Sequence, residues 1–227
     1  MRLQGLIMKK KLSMVVLTLM LVLPNFNYAQ DSDFGNWLIY IGNKQVNTKW
    51  NLHHEVQYRN YNIIGDLEQL LLRTGLGYNF NENKSNVLLG YGYILSENYI
   101  PNSDNKTSVN EHRIFQQFIS KQSIGNVKLN HRYRFEQRFV ESDFKLRFRY
   151  FLGLNVPFSK TESNKYYFSA YNEIFLNTKS SIFDRNRLYA GIGYKINNSL
   201  KLEAGYMNQF FETSSRDQFN IVTFFTF

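Results

Sequence analysis

The side chains best placed to do chemistry are arginines and glutamates set two positions apart. Arg132, Arg134, Glu136 and Arg138 fall at alternate positions of Val127–Val140, and Arg147 and Arg149 repeat the spacing. Glu55 and Arg59 flank Gln57, and Glu111 precedes Arg113 by two; Arg73, Glu173, Arg187 and Glu203 complete the set of nine arginines and five glutamates. In an extended chain successive side chains point to opposite faces, so each group would share one face of its strand. Guanidinium groups suit bidentate pairing with carboxylates on neighbouring strands. Two readings follow: a self-satisfied Arg–Glu ladder that fills an interior, or a positively biased lining in which unpaired arginines attract small anions.

Other chemistries find weaker support. A nucleophile, a base and an orienting group are needed for acyl transfer to lipid. Alternation places His112 and His131 on the face opposite Glu111 and Arg132, and the serines lie mainly between the candidate strands without a nucleophile elbow. His53 and His54, being adjacent on a strand, point apart and cannot chelate one ion. Asn102-Ser103-Asp104-Asn105 lacks the spacing and closing Glu of a calcium loop. The Gly75-Leu76-Gly77 and Gly191-Ile192-Gly193 glycines alternate within strands, which leaves interior space or lets a neighbouring side chain cross. No cofactor or metal motif is present, and the absence of cysteine removes thiol chemistry, disulfides and a lipoprotein anchor.

The elements that must carry these charges are strands. Aromatic residues make up 17% of the chain, with 20 Phe and 16 Tyr beside only 3 Pro, and aromatic enrichment favours strands. The alternation predicts Trp37–Gly42, Trp50–Arg59, Leu70–Phe80, Val87–Leu95, Asn110–Ser120, Val127–Val140, Lys145–Val156, Tyr166–Asn177, Arg187–Ile196, Leu200–Phe211 and Phe219–Phe227. In Lys145–Val156, Leu146, Phe148, Tyr150, Leu152 and Leu154 oppose Lys145, Arg147, Arg149, Gly153 and Asn155, with Phe151 a bulky exception on the charged side.

These two-faced ribbons suit either an exported soluble β-sandwich binding module or an all-β transmembrane up-and-down antiparallel barrel. Three features favour the barrel. Short connections at Asn81–Ser85, Gln122–Asn126 and Asn197–Asn198 alternate with longer ones at Ser96–Val109, around Ser142–Phe144 and at Glu212–Gln218, the asymmetry expected of periplasmic turns and outer loops. Segments such as Val127–Val140 exceed the ordinary soluble strand. The chain ends on Phe227, in phase with Phe225, Ile221 and Phe219, although Thr223 interrupts the apolar series. Such an end suits recognition by the barrel-assembly machinery. Lipid would also reject the charged face, at about 2–4 kcal/mol for each Arg or Lys at the midplane. Single-chain bacterial barrels normally have an even number of strands. Eleven candidates therefore imply 10–12 strands, with either a further short strand near Asp33–Asn36 or one candidate outside the membrane.

The first 29 residues read as a signal peptide. Lys9, Lys10 and Lys11 precede an apolar run from Leu12 to Leu23, then Pro24 and Ala29, the order of a secretory leader. That run is shorter than the roughly 20 residues a membrane helix needs. Cleavage after Ala29 would leave one domain, 30–227. With Arg2 and the three lysines removed, its charge falls from +9 to +5, and export argues against nucleic acid as a partner. The expected setting is the outer membrane, with lipid as the surroundings and a single copy as the working unit.

Several segments together resemble a family of Bacteroidota outer-membrane barrels known as a domain of unknown function. They include Arg73-Thr74-Gly75-Leu76-Gly77-Tyr78, Glu111-His112-Arg113, Arg147-Phe148-Arg149-Tyr150, Tyr171-Asn172-Glu173-Ile174-Phe175, Asn186-Arg187-Leu188-Tyr189 and Gly205-Tyr206-Met207-Asn208-Gln209. The most specific is His131-Arg132-Tyr133-Arg134-Phe135-Glu136-Gln137-Arg138-Phe139. The resemblance implies a secreted barrel and no particular activity, ligand or catalytic residue.

Overall fold

A computed structural model describes residues 34–159, 161, 165–179 and 181–227. The predicted signal peptide lies outside these residues. The described chain forms eleven strands and no helix: β1 (Gly35–Gln45), β2 (Trp50–Asn60), β3 (Leu67–Phe80), β4 (Ser85–Tyr99), β5 (Lys106–Ile124), β6 (Val127–Val140), β7 (Asp143–Pro157), β8 (Tyr166–Asn177), β9 (Phe183–Lys195), β10 (Leu200–Phe210) and β11 (Ser215–Thr226). Every predicted strand is present. Neighbours in sequence pair antiparallel all the way round, and the sheet closes on itself.

The closure differs from expectation. An odd number of up-and-down strands leaves the first and last running the same way, and β1 pairs with β11 in parallel, Gly35 opposite Gln218 through Asn43 opposite Thr226. No twelfth strand is needed and none of the eleven is spare. Within the Asp33–Asn36 stretch, Gly35 and Asn36 are the first residues of β1 itself, and Asp33 lies outside the described residues. Evenness follows only if every pair is antiparallel, and one parallel pair suspends it.

The connections also depart from the predicted asymmetry. One rim, called lower here, carries 46–49, 81–84, 125–126, 158–165 and 196–199; the upper rim carries 61–66, 100–105, 141–142, 178–182 and 211–214. The expected outer loop Ser96–Val109 is largely strand, because β4 and β5 continue pairing as far as Tyr99 opposite Lys106. The region around Ser142–Phe144 is a tight turn rather than a loop. Polar, weakly alternating ends of long strands look like loop in sequence, yet their backbone groups are satisfied by the ladder.

The faces sort as the alternation requires. Leu38, Val56, Leu72, Leu89, Ile114, Phe148, Leu188, Ile192, Leu202 and Ile221 are exposed on the outside, whereas the buried polar and charged residues point inward. A sandwich would place the apolar faces together; here they lie on the outer wall, which removes that alternative. Eight strands leave an interior that ordinary side chains just fill. Eleven leave more space, and long arginines and large rings occupy it.

Candidate functional site

The strand register builds the interior. Glu55 lies directly opposite Arg73 on adjacent strands, and the guanidinium donates to both carboxylate oxygens at 3.0 and 3.1 Å. Elsewhere the register sets like charges side by side: Arg113 faces Arg138, and Arg134 faces Arg149. Diagonal contacts relieve this. Glu111, two residues from Arg113 on the same strand, accepts from both Arg113 and Arg138, at 2.5–2.8 Å and 2.6–3.0 Å respectively.

Glu136 is the centre of the largest network. Fully buried at 0% exposure, it accepts from Arg147 at 2.7 and 2.9 Å and from Arg149 at 2.7 Å. Arg149 continues to Glu173 at 2.7 Å, and Arg132 reaches the same carboxylate at 2.8 Å. Arg147 extends to Asp184 at 2.9 Å. One connected set of charges thus crosses from β6 to β9. Glu203 stands apart from it, beside Tyr167 and Ser169.

Three buried guanidinium groups lack a carboxylate at hydrogen-bond distance. Arg59 donates to Gln57 and to Gln69 at 2.6 Å, Arg134 to Gln117 at 2.6 and 2.9 Å, and Arg187 to Gln209 at 2.8 Å. Aromatic rings complete their surroundings. Arg59 and Arg187 stand 3.7 and 4.8 Å from the Trp37 ring centre, and Arg134 lies 4.6 Å from that of Phe115. Phe175 is approached by Arg149 at 4.3 Å and Arg187 at 4.6 Å. A desolvated cation over a ring gains about 2 kcal/mol, so the rings add to the looser pairing of Arg134 with Glu136 at 3.8 Å and of Arg187 with Glu173 at 3.9 Å.

All fourteen charges predicted for the interior point there. Arg132 and Arg138 are half-buried and the other twelve are buried. Sequence reasoning missed Asp184 and Arg185, and it missed the rings. Phe151 was the signal available: as the bulky exception on the charged face of β7, it sits under Arg132 at 4.4 Å and against Tyr171. Glycines make room for other rings. A Cβ at Gly193 would collide with the Tyr167 ring, and one at Gly90 with Phe115.

The histidines do not assemble a catalytic set. His112 bonds Tyr91 at 2.6 Å on the outer wall, and His131 contacts Gln122 and Tyr150 there. His54 meets Tyr40, while His53 points inward to Asn43 and Glu55. Among the described residues no three His, Asp or Glu side chains converge as a metal site.

Comparison with known proteins adds kinship. The family described as "Protein of unknown function (DUF2490)" matches residues 34–220, almost the whole barrel. An uncharacterized protein of Methylorubrum extorquens is 31% identical over 165 residues, covering 68% of this chain and 69% of its own. No solved structure matches. With the match running from the first residue of β1's approach into β11, this β-barrel chain belongs to the DUF2490 family of proteins of unknown function.

Proposed function

We propose that this protein is an outer-membrane barrel whose packed interior makes it a closed scaffold instead of an open pore. The observation that carries the reading is the state of the mid-barrel side chains. Glu136, Met207 and Gln218 have no exposed surface, and Phe115, Phe175, Tyr189 and Asn220 have almost none. A water-filled passage at that level would wet them. The membrane setting is supported by the outer wall, where large apolar residues recur on strand after strand; exposed patches of this extent are rare on soluble monomers. Among the described residues no helix is long and apolar enough to cross a bilayer, so strands would do the crossing. In this reading β11, with Phe225 and Phe227 packed together at 4.4 Å, is the strand that the assembly machinery recognises.

Planar-bilayer recording tests the closed state. The expected result is no steady conductance from the purified protein, with conductance appearing when Arg149, Glu136 and Phe175 are replaced by alanine together. A steady anion-selective current through the unaltered protein would support the second reading, a small-anion channel. That reading is favoured by Arg59, whose hydrogen bonds go to Gln57 and Gln69, and by Arg134 and Arg187, whose carboxylate partners stand off at 3.8 and 3.9 Å.

A further inference from the structure

The two mouths of the barrel treat charge differently. At the upper mouth basic groups have partners: Lys106 pairs with Asp66, Arg216 with Glu68 at 2.7 Å, and Arg185 with Asp184 at 3.3 Å. At the lower mouth Lys84 is paired with Glu82 on the rim, but four lysines of inward parity are not. Lys121 near the end of β5, Lys128 on β6, Lys195 on β9 and Lys201 on β10 share the inward parity of Gln117, Arg132, Gly193 and Glu203. Among the described residues Lys84, Lys106 and Lys145 pair with acidic side chains. None of the four at the mouth does so.

Their positions around the ring show that they converge. Lys195 and Lys201 are cross-strand neighbours, whereas β5 and β10 lie on nearly opposite walls of the closed sheet. Lys201 nevertheless lies within electrostatic reach of Lys195, Lys128 and Lys121. All four stand at the lower rim with inward parity, on opposite walls of one closed sheet, so their side chains face the same opening. Inward from them Arg132, still partly exposed, is the first arginine of the interior. Of the carboxylates close by, Glu82 is taken by Lys84, Glu173 is shared among arginines, and Glu203, held beside hydroxyl groups, is the one acidic neighbour of Lys201 and faces four lysines.

From this geometry we infer that the lower mouth is an anion-binding vestibule for a phosphate-bearing group, held by Lys121, Lys128, Lys195 and Lys201 at the entrance to the interior. Four converging cations repel one another, and a multiply charged anion relieves all of them at once. Ammonium groups on flexible stems act as point charges without a fixed fork, so the site selects charge and size more than shape. A soluble phosphate and a phospholipid headgroup offer the same chemistry. The inference concerns the mouth alone and holds whether or not the barrel conducts.

The test titrates full-length protein in a non-ionic detergent with inorganic pyrophosphate, and separately with short-chain phosphatidylglycerol and phosphatidylcholine, read by calorimetry. Lys121→Gln/Lys201→Gln is compared with Lys44→Gln/Lys49→Gln, which removes equal charge from the same rim outside the aperture. Circular dichroism confirms that both remain folded. The expected result is saturable binding, weakened at least tenfold in the first double variant and less than twofold in the second. Pyrophosphate binding identifies a soluble source; binding of phosphatidylglycerol alone identifies a headgroup. Equal weakening in both double variants, or no saturable binding of either anionic probe, would overturn the inference.

Discussion

A buried carboxylate that serves two guanidinium groups is harder to replace than one that serves none. Glu136→Gln keeps the shape of the side chain but leaves Arg147 and Arg149 short of their shared anion. Breaking a buried pair from one side costs about 3–5 kcal/mol, because the remaining charge stays desolvated. The same change at Glu82, whose pairing with Lys84 is exposed, is worth about 0–1 kcal/mol. Urea unfolding of the two variants in one detergent should show that gap. A loss below 1 kcal/mol at Glu136 would mean that the network reorganises around the vacancy. Packing has its own residue-scale test. Gly193→Ala must displace the Tyr167 ring, and overfilling of this kind costs about 1–3 kcal/mol; adding Tyr167→Ala should remove the clash, so the double variant should fall short of the sum of the single losses.

At the scale of elements, the parallel β1–β11 pair is the feature most open to direct proof. Leu38 lies opposite Ile221, both on the outer wall, and the protein has no cysteine of its own. With Leu38→Cys and Ile221→Cys, a short bifunctional maleimide should tie the two ends of the chain together and shift its gel mobility. The pairing of Leu38→Cys with Phe225→Cys, four residues along β11, should react far less. Strand identity and facing were legible beforehand because a period of two is a local property of the sequence. The fourteen interior charges followed from it for the same reason. How the ends would meet was not legible, since pairing between residues 35 and 218 leaves no local mark. Nor were contacts that skip a strand, such as Arg132 with Glu173 or Arg147 with Asp184, because they depend on side-chain length across a curved wall. The loops misled in the opposite sense: polar strand ends carry the composition of loops while their backbones remain paired.

The upper connections hold one titratable clasp. Asp66 joins Lys106 and accepts from the Tyr99 hydroxyl at 2.8 Å. Partial burial pushes its carboxyl upward, but the hydrogen bonds from Lys106 and Tyr99 outweigh it, and the group is held below the usual carboxylate range. A lowered folded value means that the clasp contributes fully above the unfolded value of about 3.9 and is lost as pH falls through the lower folded one. Tyr99 ring resonances should therefore shift with a midpoint below about 3.9 in the native chain and stay flat in Asp66→Asn.

For the molecule as a whole, the sharpest question is what surrounds the wall. Ile192 is 55% exposed on the outside. In water Ile192→Arg should change stability by less than about 0.5 kcal/mol, as surface substitutions usually do. In a bilayer near the midplane it should cost about 2–4 kcal/mol. Unfolding measured from lipid vesicles and from detergent-free buffer separates the two surroundings, and a negligible cost in vesicles would argue that Ile192 does not touch hydrocarbon.

The shared direction of β1 and β11 has a topographic consequence. Phe34 enters at one opening and Phe227 leaves at the other, so a barrel set across a membrane would have the approach to β1 and the exit from β11 in different compartments. With the turn carrying 196–199 inside the periplasm, an epitope placed just before Phe34 should be reachable by antibody on intact cells, and one placed after Phe227 only once the envelope is broken.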